Sequence, residues 1–146
     1  MSLDAMSDDA YECALRALHH RDRTEHEIEQ HLRDRGFSEA DRARTLGALR
    51  RTGLVDDERF AHARAASLAE RGAGNALIRA RLADAGVPDE VVAAALDTVG
   101  DETTRARHIV ERRGGSPKTV RYLYGKGFSD DVIRAVIADR DDGELG

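Results

Sequence analysis

The sequence predicts an all-α fold of three tandem three-helix repeats, about nine short helices in an elongated, curved array. Three observations lead there. Charged residues make up 35% of the 146 residues and aromatics 4%, with no Trp, a balance that suits short amphipathic helices over thin cores. Val and Ile are sparse and rarely alternate with polar residues, so no strand is expected. Three segments share one pattern: HLRDRGFSEADRARTL at 31–46, RLADAGVPDEVVAAAL at 81–96 and YLYGKGFSDDVIRAVI at 122–137. Each has Leu, three residues, Gly and an apolar residue, then a capping-type residue or Pro with acids, before a helical run.

The elements follow from local chemistry. The first repeat, 10–53, opens with a helix over 8–21 whose apolar side carries Ala14, Leu15 and Leu18. Ile28 and Leu32, four apart, share one face of a second helix. Gly36 ends it in the left-handed conformation, Phe37 folds back on the last turn, and Ser38 caps a third helix with Glu39 and Asp41 at its positive end. The second repeat, 54–100, begins with a helix over 56–72 carrying Phe60, Ala63 and Leu68 on its inner face. Ile78 and Leu82 lead to Gly86 and Val87, and Pro88 stands in for Ser ahead of Asp89 and Glu90. The third repeat, 101–140, sets Ala106, Ile109 and Val110 on a helix over 101–114, then passes Leu123, Gly127 and Phe128 to a cap at Ser129. Residues 1–9 and 141–146 are acidic and are expected to be disordered tails. Their acids account for the formal net charge of −5, leaving the repeats near neutral and the last of them basic.

The stretch GLVDDERFA at 53–61 puts two aspartates and a glutamate ahead of a phenylalanine. Gly53 ends the third helix of the first repeat, Leu54 and Val55 form the apolar return, Asp56 or Asp57 caps the next helix, and Phe60 begins its buried face. A metal or acid–base site would need further ligands, because adjacent helical residues point about 100° apart. The six histidines include no pair at i, i+4, and there is no Cys-x-x-Cys, so no metal is expected. RGAGNA at 71–76 and YGKGFS at 124–129 lack the Lys-Ser/Thr ending of a phosphate loop and read as helix ends. No catalytic residue and no cofactor is expected. The single cysteine, Cys13, sits in an apolar helix pattern as a small buried residue and suits a reducing cytosol. No run is long enough to span a membrane, and no signal-peptide pattern opens the chain, so a cytoplasmic monomer is expected.

Four motifs in order resemble the RecX family of recombination regulators over roughly residues 10–140. ALRALHHRDRTEHEIEQHLRDRGF at 14–37 is similar to the family's first motif, and GLVDDERFA to its signature. GAGNALIRARLADAGV at 72–87 resembles its Gly–Ile–Leu–Gly element, and YLYGKGFSDDVIRAVI its C-terminal Gly-Phe-Ser-x-Asp ending. The structural signature is then Gly36, Gly53, Asp56, Asp57, Phe60, Gly86 and Gly127. The resemblance implies tandem three-helix repeats and a non-enzymatic regulator that binds the RecA filament on single-stranded DNA. Such a protein would inhibit ATP hydrolysis and strand exchange in DNA repair and the SOS response.

The candidate contact residues lie in 105–126: Arg105, Arg107, Arg112, Arg113, Lys118, Arg121 and Lys126, interleaved with Tyr122 and Tyr124. They suit phosphate charge and exposed bases, with weak direct DNA binding as a secondary expectation. A second set, Arg33, Arg35, Arg42, Arg44, Arg50 and Arg51, alternates with acids and is expected to pair internally. Short three-helix units with tight turns also fit a helix-turn-helix-like reader of duplex DNA. The acidic middle repeat favours the filament binder over that alternative.

Overall fold

Leu32, Leu82 and Leu123 are all fully buried, and each is followed by the same helix ending. Phe37 N–H donates to the Leu32 carbonyl at 3.2 Å, Val87 N–H to that of Leu82 at 3.1 Å, and Phe128 N–H to that of Leu123 at 3.2 Å. The intervening glycines take φ of 84° at Gly36, 82° at Gly86 and 86° at Gly127, the left-handed region where a Cβ is unfavourable. These Schellman endings divide the chain into three units of equal design.

The computed structural model describes the backbone of residues 3–145 and the side chains of residues 9–141. Among the described residues it is all-α, with nine helices and no strand. The first unit holds α1 (Leu3–His20), α2 (Glu25–Asp34) and α3 (Glu39–Arg51). The second holds α4 (Asp57–Glu70), α5 (Asn75–Asp84) and α6 (Asp89–Asp97), and the third α7 (Glu102–Arg113), α8 (Pro117–Gly125) and α9 (Asp130–Leu145). The closely packed helix pairs all fall within a unit, and each unit has its own core. Ala14, Ile28, Leu32 and Leu49 fill the first, Ile78, Leu82 and Val92 the second, and Ile109, Leu123, Phe128 and Ile133 the third.

Caps stand where the local chemistry put them. Ser38 accepts from Asp41 N–H at 3.1 Å, Asp56 from Arg59 N–H at 3.0 Å and Ser129 from Val132 N–H at 3.2 Å, and Pro88 precedes α6. Thr24 and Glu27 form a capping box at α2.

One expectation is corrected. Ala63 is exposed, because the inner face of α4 runs through Ala61, Ala65 and Leu68, and Ala63 lies on the far side of that stripe. In backbone, α1 begins at Leu3 and α9 continues to Leu145 through the acidic segments, while Met1, Ser2 and Gly146 lie outside the described residues. Neither segment contains a Pro, and each extends a helix already nucleated by its core.

A Cβ at Gly36 would meet nothing within 4 Å, so Gly36→Ala carries only the cost of the left-handed conformation. Urea melts are expected to show about 1 kcal/mol of destabilisation. A variant as stable as the parent would contradict this account of the turn.

Candidate functional surface

The units meet through two joints of the same construction. At the first, Glu25 N–H, at the start of α2, donates to Asp57 Oδ1 at 2.9 Å. The Thr24 hydroxyl donates to the Ala85 carbonyl at 2.5 Å. At the second, Asn75 N–H, at the start of α5, donates to Glu102 Oε1 at 3.2 Å. Gly74 N–H donates to the Lys126 carbonyl at 2.7 Å, and Ala76 N–H to that of Gly127 at 3.2 Å. In both, an acid at the first position of one unit's opening helix receives the amide that begins the preceding unit's second helix. That amide start also rests on the next unit's Gly turn.

The joints resolve the question posed by GLVDDERFA. Asp56 is the cap, and Asp57 is an inter-unit acceptor rather than a second cap. Among the described residues no three His, Cys, Asp or Glu side chains cluster as metal ligands would. Glu58 is exposed, and Phe60 is half-buried against the second core. Asp57 was legible as a helix-start acid; its partner was not, although the recurrence of cap and acid in Asp56-Asp57 and Asp101-Glu102 carried the signal.

Burial raises the pKa of Asp57 above the usual carboxylate range, opposed by the hydrogen bond from Glu25 N–H, while the Glu25 and Asp56 carboxylates push further upward. A folded pKa above the unfolded value means that this group favours folding when protonated. Its contribution is full below the unfolded pKa and is lost as pH rises through the folded pKa. Asp57→Asn keeps an acceptor for Glu25 N–H without the charge. Its stability relative to the parent is therefore expected to rise across that window in urea melts, and a pH-independent difference would refute the assignment.

The candidate contact residues divide into three groups. Arg105 is committed to the second joint: it donates to the Asn75 side chain at 2.5 Å and to the Gly100 carbonyl at 3.0 Å, and burial pulls its pKa down. Tyr122 and Lys126 also lie there, their side chains beside Gly72 at the end of α4. The second group makes contacts within its own unit. Arg107 faces Asp139 at 3.6 Å, the Arg113 guanidinium lies 3.6 Å from the centre of the Tyr122 ring, and Tyr124, half-exposed, donates to Asp130. The third group, Arg112, Lys118 and Arg121, is exposed and has no ion-pair partner among the described residues. Tyr122 is covered by Arg113 on one face and packs against the third core.

The first unit's basic set pairs internally in part. Arg33 and Arg42 both reach Glu29 at 2.9 Å, Arg50 pairs with Glu25, and Arg35 bonds His31. Arg44 and Arg51 have no such partner among the described residues. No described helix is long and apolar enough to cross a membrane.

Comparison with known proteins gives the same architecture. The RecX first three-helix domain matches residues 10–49 and the RecX second three-helix domain residues 56–96. The regulatory protein RecX of Halorhodospira halophila is 34% identical over 148 residues, covering 94% of this chain and 92% of its own. That of Geobacillus kaustophilus is 37% identical over 89% of this chain, which spans only 53% of that longer protein. The crystal structure of RecX from Lactobacillus salivarius superposes with a TM-score of 0.82 over 95% of this chain and 99% of its own, a likeness of fold at 23% identity. On these matches, and on the repeated unit that underlies them, the chain belongs to the RecX family of regulatory proteins.

Proposed function

We propose that this protein regulates RecA by binding its filament on single-stranded DNA and suppressing ATP hydrolysis and strand exchange. The observation that supports this reading is membership of the RecX regulatory family across both matched three-helix domains. A row of small units joined end to end offers many modest contacts to a repeating partner, and these add through effective concentration. The unpaired Arg112, Lys118 and Arg121 supply charge suited to the filament's phosphates. The protein acts as a cytoplasmic monomer, without chemistry, metal or cofactor of its own.

Titration into RecA turning over ATP on single-stranded DNA is expected to lower the turnover, and unchanged turnover at saturating protein would end the proposal. Reversing Arg112, Lys118 and Arg121 to Glu is expected to weaken filament binding about tenfold and to reduce its salt dependence by roughly 0.7 per lost phosphate contact. Equal affinity would remove this patch from the interface. Competition among random duplex, bare single strand and RecA-coated single strand separates this role from duplex reading, which requires preference for duplex.

A further inference from the structure

A second basic feature lies in the first unit. Between α1 and α2 is a small pocket lined by Arg16, His20, Arg23, His31 and Arg35, with the buried Cys13 and Ala17 at its floor. Among the described residues no carboxylate lines it. Four other arginines of this unit are neutralised, Arg21 by Glu27, Arg33 and Arg42 by Glu29 and Arg50 by Glu25, while Arg44 and Arg51, also without an acid partner among the described residues, lie apart from the pocket on α3. The pocket instead gathers cations that have no acid partner.

Their donors are oriented but not used up. Arg23 Nε donates to the Ala17 carbonyl at 3.0 Å, which fixes the guanidinium and leaves its terminal nitrogens available. Arg35 Nη1 lies 3.2 Å from His31 Nδ1. A guanidinium only donates, so Nδ1 accepts and His31 is held as the neutral ring with its proton on Nε2. Burial, then Arg35 and Arg23, lower the His31 pKa, while Asp34, occupied by Gln30 at 3.0 Å, opposes weakly. The pocket lining is therefore basic, with Asp34, outside the lining, as the carboxylate that acts on His31.

We propose that this pocket is an anion site that receives a phosphate group of a nucleic-acid strand, held by Arg16, Arg23 and Arg35 with the two imidazoles as further donors. A phosphodiester accepts hydrogen bonds from several directions at once, which suits guanidinium groups set on α1, on the loop after it and at the residue that caps the end of α2. The choice of a single strand rests on the filament reading above; the phosphate chemistry does not.

The test uses the full chain. Inorganic phosphate is titrated at constant ionic strength while the histidine ring signals are followed by NMR, and binding of a labelled oligothymidylate is measured at low salt. Phosphate is expected to shift the His20 and His31 rings and to raise the titration midpoint of His31. R16E/R35E is expected to bind the oligonucleotide about tenfold more weakly, with a salt dependence shallower by about 1, whereas R16K/R35K keeps most of the affinity. Ring shifts no larger than chloride produces, or equal oligonucleotide affinity in R16E/R35E and parent, would overturn the proposal. Polyglutamate binding as tightly through the same arginines would overturn it in favour of an acidic protein partner. Should R16E/R35E fail to fold, the phosphate titration of the parent decides. Pocket-dependent oligonucleotide binding by a protein that leaves RecA turnover untouched would sink the filament reading and keep this one. RecA inhibition without any oligonucleotide or phosphate binding would do the reverse.

Discussion

Replacing Leu82 by Ala is expected to destabilise the protein by about 3 kcal/mol, the largest single effect anticipated here. Leu82 is fully buried in a core whose other buried residues are half alanines, Ala61, Ala65, Ala73 and Ala95, beside Leu68, Ile78, Val87 and Val92. Small neighbours anchored on helical backbone cannot collapse far into the space left by an isobutyl group, so the cavity persists. The middle unit also holds one half of each joint: Asp57 and Ala85 face the first unit, Gly74 and Asn75 the third. Loosening it should therefore lower protection of amides in both neighbours, measured by hydrogen exchange. A loss under about 1 kcal/mol, or one confined to α4–α6, would mean that the units are less coupled than the joints imply.

Gly74→Ala is expected to cost about 2 kcal/mol, although the backbone there is unstrained. With φ of −82°, Gly74 has a conformation open to any residue. Its requirement is space: an added Cβ would sit 2.5 Å from the carbonyl carbon and oxygen of Gly127 and from Phe128 N. The two backbones must part, which lengthens the bonds from Gly74 N–H to Lys126 and from Ala76 N–H to Gly127. Gly36→Ala is the matched control, with backbone strain but no crowding. Faster exchange of the Gly74 and Ala76 amides, with the core of the third unit still protected, would identify a joint that opens without unfolding. Unchanged melting and protection would show that the contact is not tight. On the proposed function, and if filament binding needs the units in line, the variant is expected to lower RecA turnover less than the parent does while remaining folded.

Much of this protein could be read from neighbouring residues alone. The Leu-to-Gly spacing, the caps at Ser38, Asp56 and Ser129, the left-handed glycines and the three-unit plan depend on interactions within about one helical turn, and such interactions leave a local pattern. The family motifs were legible for the same reason, since each spans one helix ending or one helix start. Where the pattern is ambiguous within a turn, as on α4, Ala63 was assigned to the inner face, which Ala61, Ala65 and Leu68 in fact form beside the half-buried Phe60.

Contacts between units could not be read that way. Asp57 meets the amide of Glu25, Glu102 that of Asn75, and Gly74 the Gly127 turn, across separations of 27 residues or more. Whether an arginine is free or engaged depends on such partners: Arg105 looks like Arg112 in the sequence, yet one locks a joint and the other faces solvent. The pocket of Arg16, Arg23 and Arg35 arises only because two helices and a loop fold onto each other. Helix endings are encoded by residues in covalent reach of one another, whereas charge neutralisation and close backbone approach are encoded by residues that folding alone brings together.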